Sequence, residues 1–120
     1  MTDLSTKTDA EIALLTAKAM GLGNPKIYDG MNVNVDSPRM YGNRARFDPL
    51  NDDADAMRVH EWLEANTVTI TQDHNTVKRY LVGWTQTNGV MKTLVHESNA
   101  TSKRVRCECA IRLGRALGGD

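Results

Sequence analysis

The sequence predicts an α+β fold in which an antiparallel sheet of about four strands carries helices on its faces, an α/β/α sandwich. Three observations predict it. The length, 120 residues, suits one domain spanning 1–120 with one continuous core. Apolar residues recur at helical spacing in three segments and alternate with period two in others. The alternating segments of the second half follow one another as a meander. The predicted order is α-β-α-β-β-β-α.

The first helix is announced by Thr8 and Glu11, whose spacing is that of a capping box. Ile12, Leu15, Ala19 and Leu22 then share a face, and Gly21 or Gly23 with Pro25 ends the helix. Asp29-Gly30 signals a turn, and Met31, Val33 and Val35 alternate with Asn32 and Asn34 as a strand. The stretch 36–46, with Pro38 and Gly42 and no period, reads as an exposed loop. Asn51-Asp52-Asp53 caps a second helix, on which Ala56, Val59 and Leu63 share a face.

Val68 and Ile70 mark the next strand, and Tyr80, Val82 and Trp84 the one after, with Val77 and Leu81 on its other side. Asn88-Gly89 reads as a hairpin turn. In the last strand Val90 and Leu94 oppose Met91 and Val95, so the sheet is apolar on both faces and calls for cover on both. A third helix runs from about 101 to 117 with Val105, Cys109, Leu113 and Ala116 on one face. Its Val105, Cys109 and Leu113, with the face of the second helix, are expected to bury Ile70, Val82 and Val95.

Composition is ordinary for a globular chain, with 40% hydrophobic and 25% charged residues, while 5% aromatics make the core aliphatic and Met-rich. Fifteen basic side chains balance fifteen acidic ones, which argues against a dedicated nucleic-acid binder. The balance is uneven along the chain. Residues 47–66 carry a net −5, residues 67–120 a net +4 and residues 1–46 a net +1, a polarity best used in pairing within the fold. Cys107 and Cys109 fall roughly 200° apart on a helix and are expected neither to bond nor to share a metal; they suit a reducing compartment. The opening residues lack the pattern of a secretory signal, and no apolar run approaches a membrane span. A soluble, cytoplasmic protein is expected.

No chemical motif stands out. Asp48, Asp52, Asp53 and Asp55 fail the spacing of a calcium loop and read as helix capping. His60, His74 and His96 have no zinc-helix spacing, the serines lie in no nucleophile elbow, and the glycines form no phosphate loop. No catalytic residue, metal or cofactor is assigned.

Phe47-Asp48-Pro49-Leu50-Asn51-Asp52-Asp53-Ala54-Asp55-Ala56 carries a family resemblance. With the opening helix ending Ala19-Met20-Gly21-Leu22 and the closing helix around Cys107-Glu108-Cys109-Ala110-Ile111, it resembles the phage ABA-sandwich domain and related NinX-like phage proteins. The resemblance implies an α/β/α sandwich and a small accessory protein of temperate phages. It implies no enzyme activity and supplies no catalytic positions.

The candidate binding residues are Arg39, Tyr41, Arg44 and Arg46, three guanidiniums and an aromatic within eight positions. They suit an anionic ligand or an acidic protein face; the duller reading pairs Arg44 and Arg46 with the acidic start of the second helix. Arg106 falls on the buried side of the third helix, with Asp55 or Asp48 as its expected partner, and Trp84 reads as core.

The functional expectation is a phage-type accessory protein that binds a host or phage protein, inhibiting a host defence system or another host protein. The first alternative is a protein that sequesters an anionic nucleotide through the arginines; the second is an unrecognised small enzyme. A homo-oligomer is compatible with the sequence; a membrane partner is not expected.

Overall fold

Thr8 and Glu11 form the reciprocal capping box: Glu11 N–H donates to Thr8 Oγ1 at 3.2 Å, and Thr8 N–H donates to Glu11 Oε1 at 3.0 Å. They start α1 (Asp9–Ala19) after a 3-10 turn at Leu4–Thr6. Gly21, at φ +73°, ends it. Gly21 N–H bonds to Lys18 O, and Leu22 N–H reaches Ala17 O, which closes the exposed carbonyls of the last turn. The computed structural model describes residues 4–36, 44–73 and 76–118.

After α1 come β1 (Lys26–Tyr28), β2 (Asn32–Asp36), β3 (Arg44–Arg46) and α2 (Asp53–Asn66). β4 (Thr69–Asp73), β5 (Lys78–Thr85), β6 (Met91–Ser98) and α3 (Ser102–Gly118) complete the order. The fold is α+β, with two three-stranded antiparallel sheets, β1-β2-β3 and β4-β5-β6, layered with three helices in a sandwich-like arrangement.

The six observed strands exceed the predicted number because β1 and β3 are three residues each, too short to show a period. Arg44–Arg46, read from sequence as part of a loop, pairs with β2 in the register Asn34↔Arg46 and Asp36↔Arg44. Asp29 and Gly30, at φ 53° and 68°, make the tight turn that folds β1 onto β2. The β5–β6 connection differs from the simplest hairpin. Only Gly89 takes positive φ, and its N–H returns to Gln86 O at 2.9 Å, so the loop spans three residues with glycine at the bulge.

α3 is the centre of the core. Val105, Cys107, Cys109, Ala110, Ile111 and Leu113 are all buried, which a single amphipathic stripe would not achieve. The helix packs against β5 and β6, against α2, and against α1. The small residues Ala10, Ala13 and Ala17 of α1 are buried, whereas Leu15 is only partly so; the predicted stripe on Leu15, Ala19 and Leu22 is displaced toward them. At the contact, a Cβ on Gly114 would lie 2.7 Å from Ala19 Cβ, so only glycine allows this approach. Ala116, placed on the buried face from sequence, is exposed past the last turn of that contact.

α2 begins at its cap Asp52, whose carboxylate accepts from Asp55 N–H at 3.2 Å, and buries Ala56, Val59 and Leu63 as its spacing predicts. In the second sheet, Tyr80, Val82 and Trp84 are buried toward the helices while Leu81 faces out. Register pairs Val82 with Leu94 and Leu81 with Val95. Leu94, rather than the predicted Val95, therefore lies under the helices. Val95 is 46% and Leu81 38% exposed, and none of the described helices covers that outer face.

Candidate functional site

β3 positions two of the four candidate residues on one face, among different neighbours. Arg44 donates to Asp36 Oδ1 at 2.6 Å, to Asn24 O at 2.5 Å and to Asn34 O at 2.8 Å. Its guanidinium ties the end of β2 to the segment after α1. The Arg44 guanidinium, with the Asn24 amide, holds the Asp36 carboxyl below its ordinary range. Arg44 is thus a structural residue, and its carboxylate is Asp36 rather than one at the start of α2. Arg39 and Tyr41 lie outside the described residues.

Arg46 is different. Its side chain is 65% exposed, and among the described residues its guanidinium makes one hydrogen bond, donating to Asp48 Oδ2 at 3.1 Å. That leaves most of its five N–H donors for solvent or a ligand. Arg46 stands at the rim of a cleft of about 110 Å³ between α1, β2 and residues 46–51. Ala10, Ala13, Val33, Phe47 and Leu50 supply the apolar lining, and Asn32 and Asn51 the amides. Met31, 78% exposed, lies at its mouth. The two carboxylates on the lining already have partners: Asp48 bonds Arg46 and Asn51, and Asp9 pairs with Arg104 at 2.7 Å.

The remaining acidic residues of this region are also engaged within the fold. Asp52 caps α2, Asp53 pairs with Lys103 at 2.6 Å, and Asp55 accepts from Asp48 N–H at 2.8 Å and from Arg58 at 3.3 Å. Lys103 holds the Asp53 carboxyl below its ordinary range. Arg106, expected to pair with Asp55 or Asp48, instead donates to the hydroxyl of Tyr80 at 3.2 Å.

The described histidines belong to hydrogen-bond chains rather than to a cleft. Tyr80 donates to Gln72 at 3.1 Å, Gln72 approaches His60 Nδ1 at 3.4 Å, and His60 Nε2 lies 3.1 Å from Glu64. Burial raises the Tyr80 hydroxyl above its usual range, against the lowering effect of Arg106. On the other side of α3, His96 Nε2 contacts buried Glu108, which also accepts from Arg104 Nε at 3.1 Å. His74 lies outside the described residues. Among the described residues no group of three His, Cys, Asp or Glu is placed to hold a metal, and no buried side-chain nitrogen or oxygen lacks a partner. Burial pushes the thiols of Cys107 and Cys109 up to about 12, leaving them protonated and unreactive.

Sequence reasoning found Arg46 but missed the cleft beside it. Met31, Asn32 and Asn51 come from a strand and a helix entrance that are distant in sequence, and only the packing of α1 on β2 brings them together. The turn at Asp29-Gly30, which projects Met31, was the one available signal. No described helix is long and apolar enough to cross a membrane. Comparison with protein-family models, curated proteins and solved structures finds no match.

Proposed function

We propose that this chain is a small phage-type accessory protein that acts in the host cytoplasm by binding a partner protein, inhibiting a host defence system or another host protein. The Arg46 cleft is the proposed contact. Arg39 and Tyr41, from the same stretch of sequence, are proposed as further contacts.

The observation that carries this reading is the exposed Arg46 guanidinium at the rim of a cleft of about 110 Å³. Sites for drug-sized ligands run to roughly 300–1,000 Å³. This cleft is therefore too small to enclose a nucleotide and is matched to one side chain of a partner. An apolar floor with amides and a cation at its rim is the arrangement of an anchor pocket in a protein interface. The resemblance of residues 47–56 to the phage proteins supplies the biological setting.

The test is partner retention from bacterial lysate by the parent chain and by Arg46→Glu, with melting followed in parallel. Arg46→Glu is expected to reduce retention at least about tenfold, the scale of one hot-spot contact, with little change in melting. Retention by the parent is expected to fall with added salt, since exposed charges are screened over ~8–10 Å. Undiminished retention by Arg46→Glu would remove the cleft from the interface. Undiminished retention by Arg39→Ala with Tyr41→Ala would remove the other two residues.

A further inference from the structure

The cleft beside Arg46 has a definite size and a definite set of open hydrogen-bonding groups, and together they specify the residue it takes. An apolar cavity of about 150 Å³ accepts a benzene ring. At about 110 Å³ this cleft is too small for a phenyl group and suits the branched aliphatic side chain of leucine or isoleucine. Ala10, Ala13, Val33 and Phe47, all buried, form the floor for such a chain.

The open groups at the mouth are mostly donors. Arg46 gives one N–H to Asp48, which leaves a two-pronged edge of its guanidinium for a carboxylate. The half-buried side-chain amide of Asn32 has no hydrogen-bond partner among the described residues. Asn51 donates to Asp48 Oδ1 at 3.1 Å and keeps its own side-chain oxygen as an acceptor. The two acids on the lining are engaged. Asp48 has one oxygen on Arg46 and the other on Asn51, and Asp9 is ion-paired with Arg104 at 2.7 Å.

We infer, resting on the reading of this cleft as a partner's anchor pocket, that its occupant is the C-terminal residue of a protein chain, a leucine or isoleucine. The side chain lies on the apolar floor. The terminal carboxylate takes the open edge of Arg46 and the Asn32 amide, and the peptide N–H of the same residue donates to Asn51 Oδ1.

A terminal carboxylate fits here and an internal acid does not. The terminal group is bonded to the same Cα as the anchoring side chain, so one residue meets both the cation and the floor. In an extended chain neighbouring side chains point to opposite faces, and the next on the same face is roughly 7 Å away. An aspartate or glutamate beside an internal leucine is therefore turned away from Arg46. Capture of a chain terminus by a few convergent polar groups is a recurring mode of peptide recognition.

The probe is N-acetyl-leucine, which carries the side chain, the carboxylate and the peptide N–H but no amine. Titration of the full chain, followed by NMR at Asn32, Asn51 and Arg46 Nε, is expected to give a Kd on the order of 1 mM, the range for so small a ligand. N-acetyl-leucine amide and the internal-acid probe acetyl-aspartyl-leucine amide are expected to bind at least about tenfold more weakly, the scale of one charge-assisted hydrogen bond. N-acetyl-phenylalanine is also expected to bind more weakly, because its ring exceeds the floor. In Arg46→Gln the acid is expected to bind no better than the amide binds the parent, with melting unchanged. Equal binding of acid and amide, tighter binding of the internal-acid probe, or an acid preference that survives Arg46→Gln would each overturn the inference.

Lysate treated with a carboxypeptidase separates this inference from the reading beneath it. Retention that depends on Arg46 is expected to fall after the treatment, which removes terminal residues. Retention that depends on Arg46 and survives the treatment would overturn the terminal residue and leave the protein partner standing. Retention indifferent to Arg46→Glu, with N-acetyl-leucine still bound, would overturn both and leave the cleft to a free small carboxylate.

Discussion

His96 on β6 and Glu108 on α3 meet inside the protein, with His96 Nε2 2.9 Å from Glu108 Oε1 and the Glu108 side chain 2% exposed. The other ring nitrogen of His96, Nδ1, lies 3.2 Å from an Arg112 guanidinium nitrogen, so both ring nitrogens are engaged. Arg104 completes the group. It donates to Glu108 and also to Asp9, Leu4 O and Lys7 O, which fastens the start of the chain to α3.

Burial pushes the Glu108 carboxyl up, but hydrogen bonds from His96 and Arg104 overcome it and hold the group below its ordinary range. A carboxyl held low in the folded state favours folding above its unfolded pKa of about 4.3 and loses that contribution as pH falls through the folded value. Urea unfolding is therefore expected to show stability declining below about pH 4.5. Glu108→Gln is expected to cost about 1.5–3 kcal/mol at pH 7, because His96 and Arg104 lose a charged acceptor while Arg104 keeps Asp9, and to flatten the acid decline. An equally steep acid decline in Glu108→Gln would show that other carboxylates govern it.

Gly114→Ala tests the contact between α1 and α3. Helix propensity alone would favour alanine by about 1 kcal/mol. The new methyl would stand 2.7 Å from Ala19 Cβ and 3.1 Å from its Cα, in backbone that cannot move aside cheaply. Overpacking of this kind costs about 1–3 kcal/mol, so the variant is expected to melt below the parent. A higher melting temperature would mean that the two helices separate without loss.

Leu63→Ala tests the buried face of α2. Leu63 is 0% exposed, and removal of such a side chain costs about 2–5 kcal/mol. Chemical denaturation that left the midpoint unmoved would show that this face is not packed in solution.

Arg44 and Arg46 are expected to part company on mutation. Arg44→Ala removes hydrogen bonds to the carbonyls of Asn24 and Asn34 and is expected to cost on the order of 1 kcal/mol. Arg46→Ala is expected to stay within ~0.5 kcal/mol of the parent, as exposed substitutions do. Equal melting of the two variants would contradict the roles assigned to them.

Cys107 and Cys109 are both 0% exposed. A thiol reagent is expected to leave them unmodified in the native protein and to label both once it is unfolded. Prompt labelling under native conditions would show that α3 opens far more readily than its packing implies.

The local devices were legible in the sequence because they depend on residues a few positions apart. The Thr8–Glu11 box, the Asp52 cap, the turns at Gly30 and Gly89, and the burial of Ala56, Val59 and Leu63 all follow from spacing alone. The α+β class follows from the order of those devices. Tertiary structure decided whatever depends on which elements meet. It made α3 central, which buried Cys107 on the side that spacing alone places opposite the core stripe, and Glu108 at its flank. It gave Leu94 rather than Val95 to the helices, since period two distinguishes two faces but does not say which one is covered. It also split Arg44 from Arg46: alternation on a three-residue strand sends adjacent odd and even positions to opposite sides but leaves these two alike, and only the neighbours differ. Asp36 and two carbonyls surround the first, while the second stands at the mouth of a cleft built by α1.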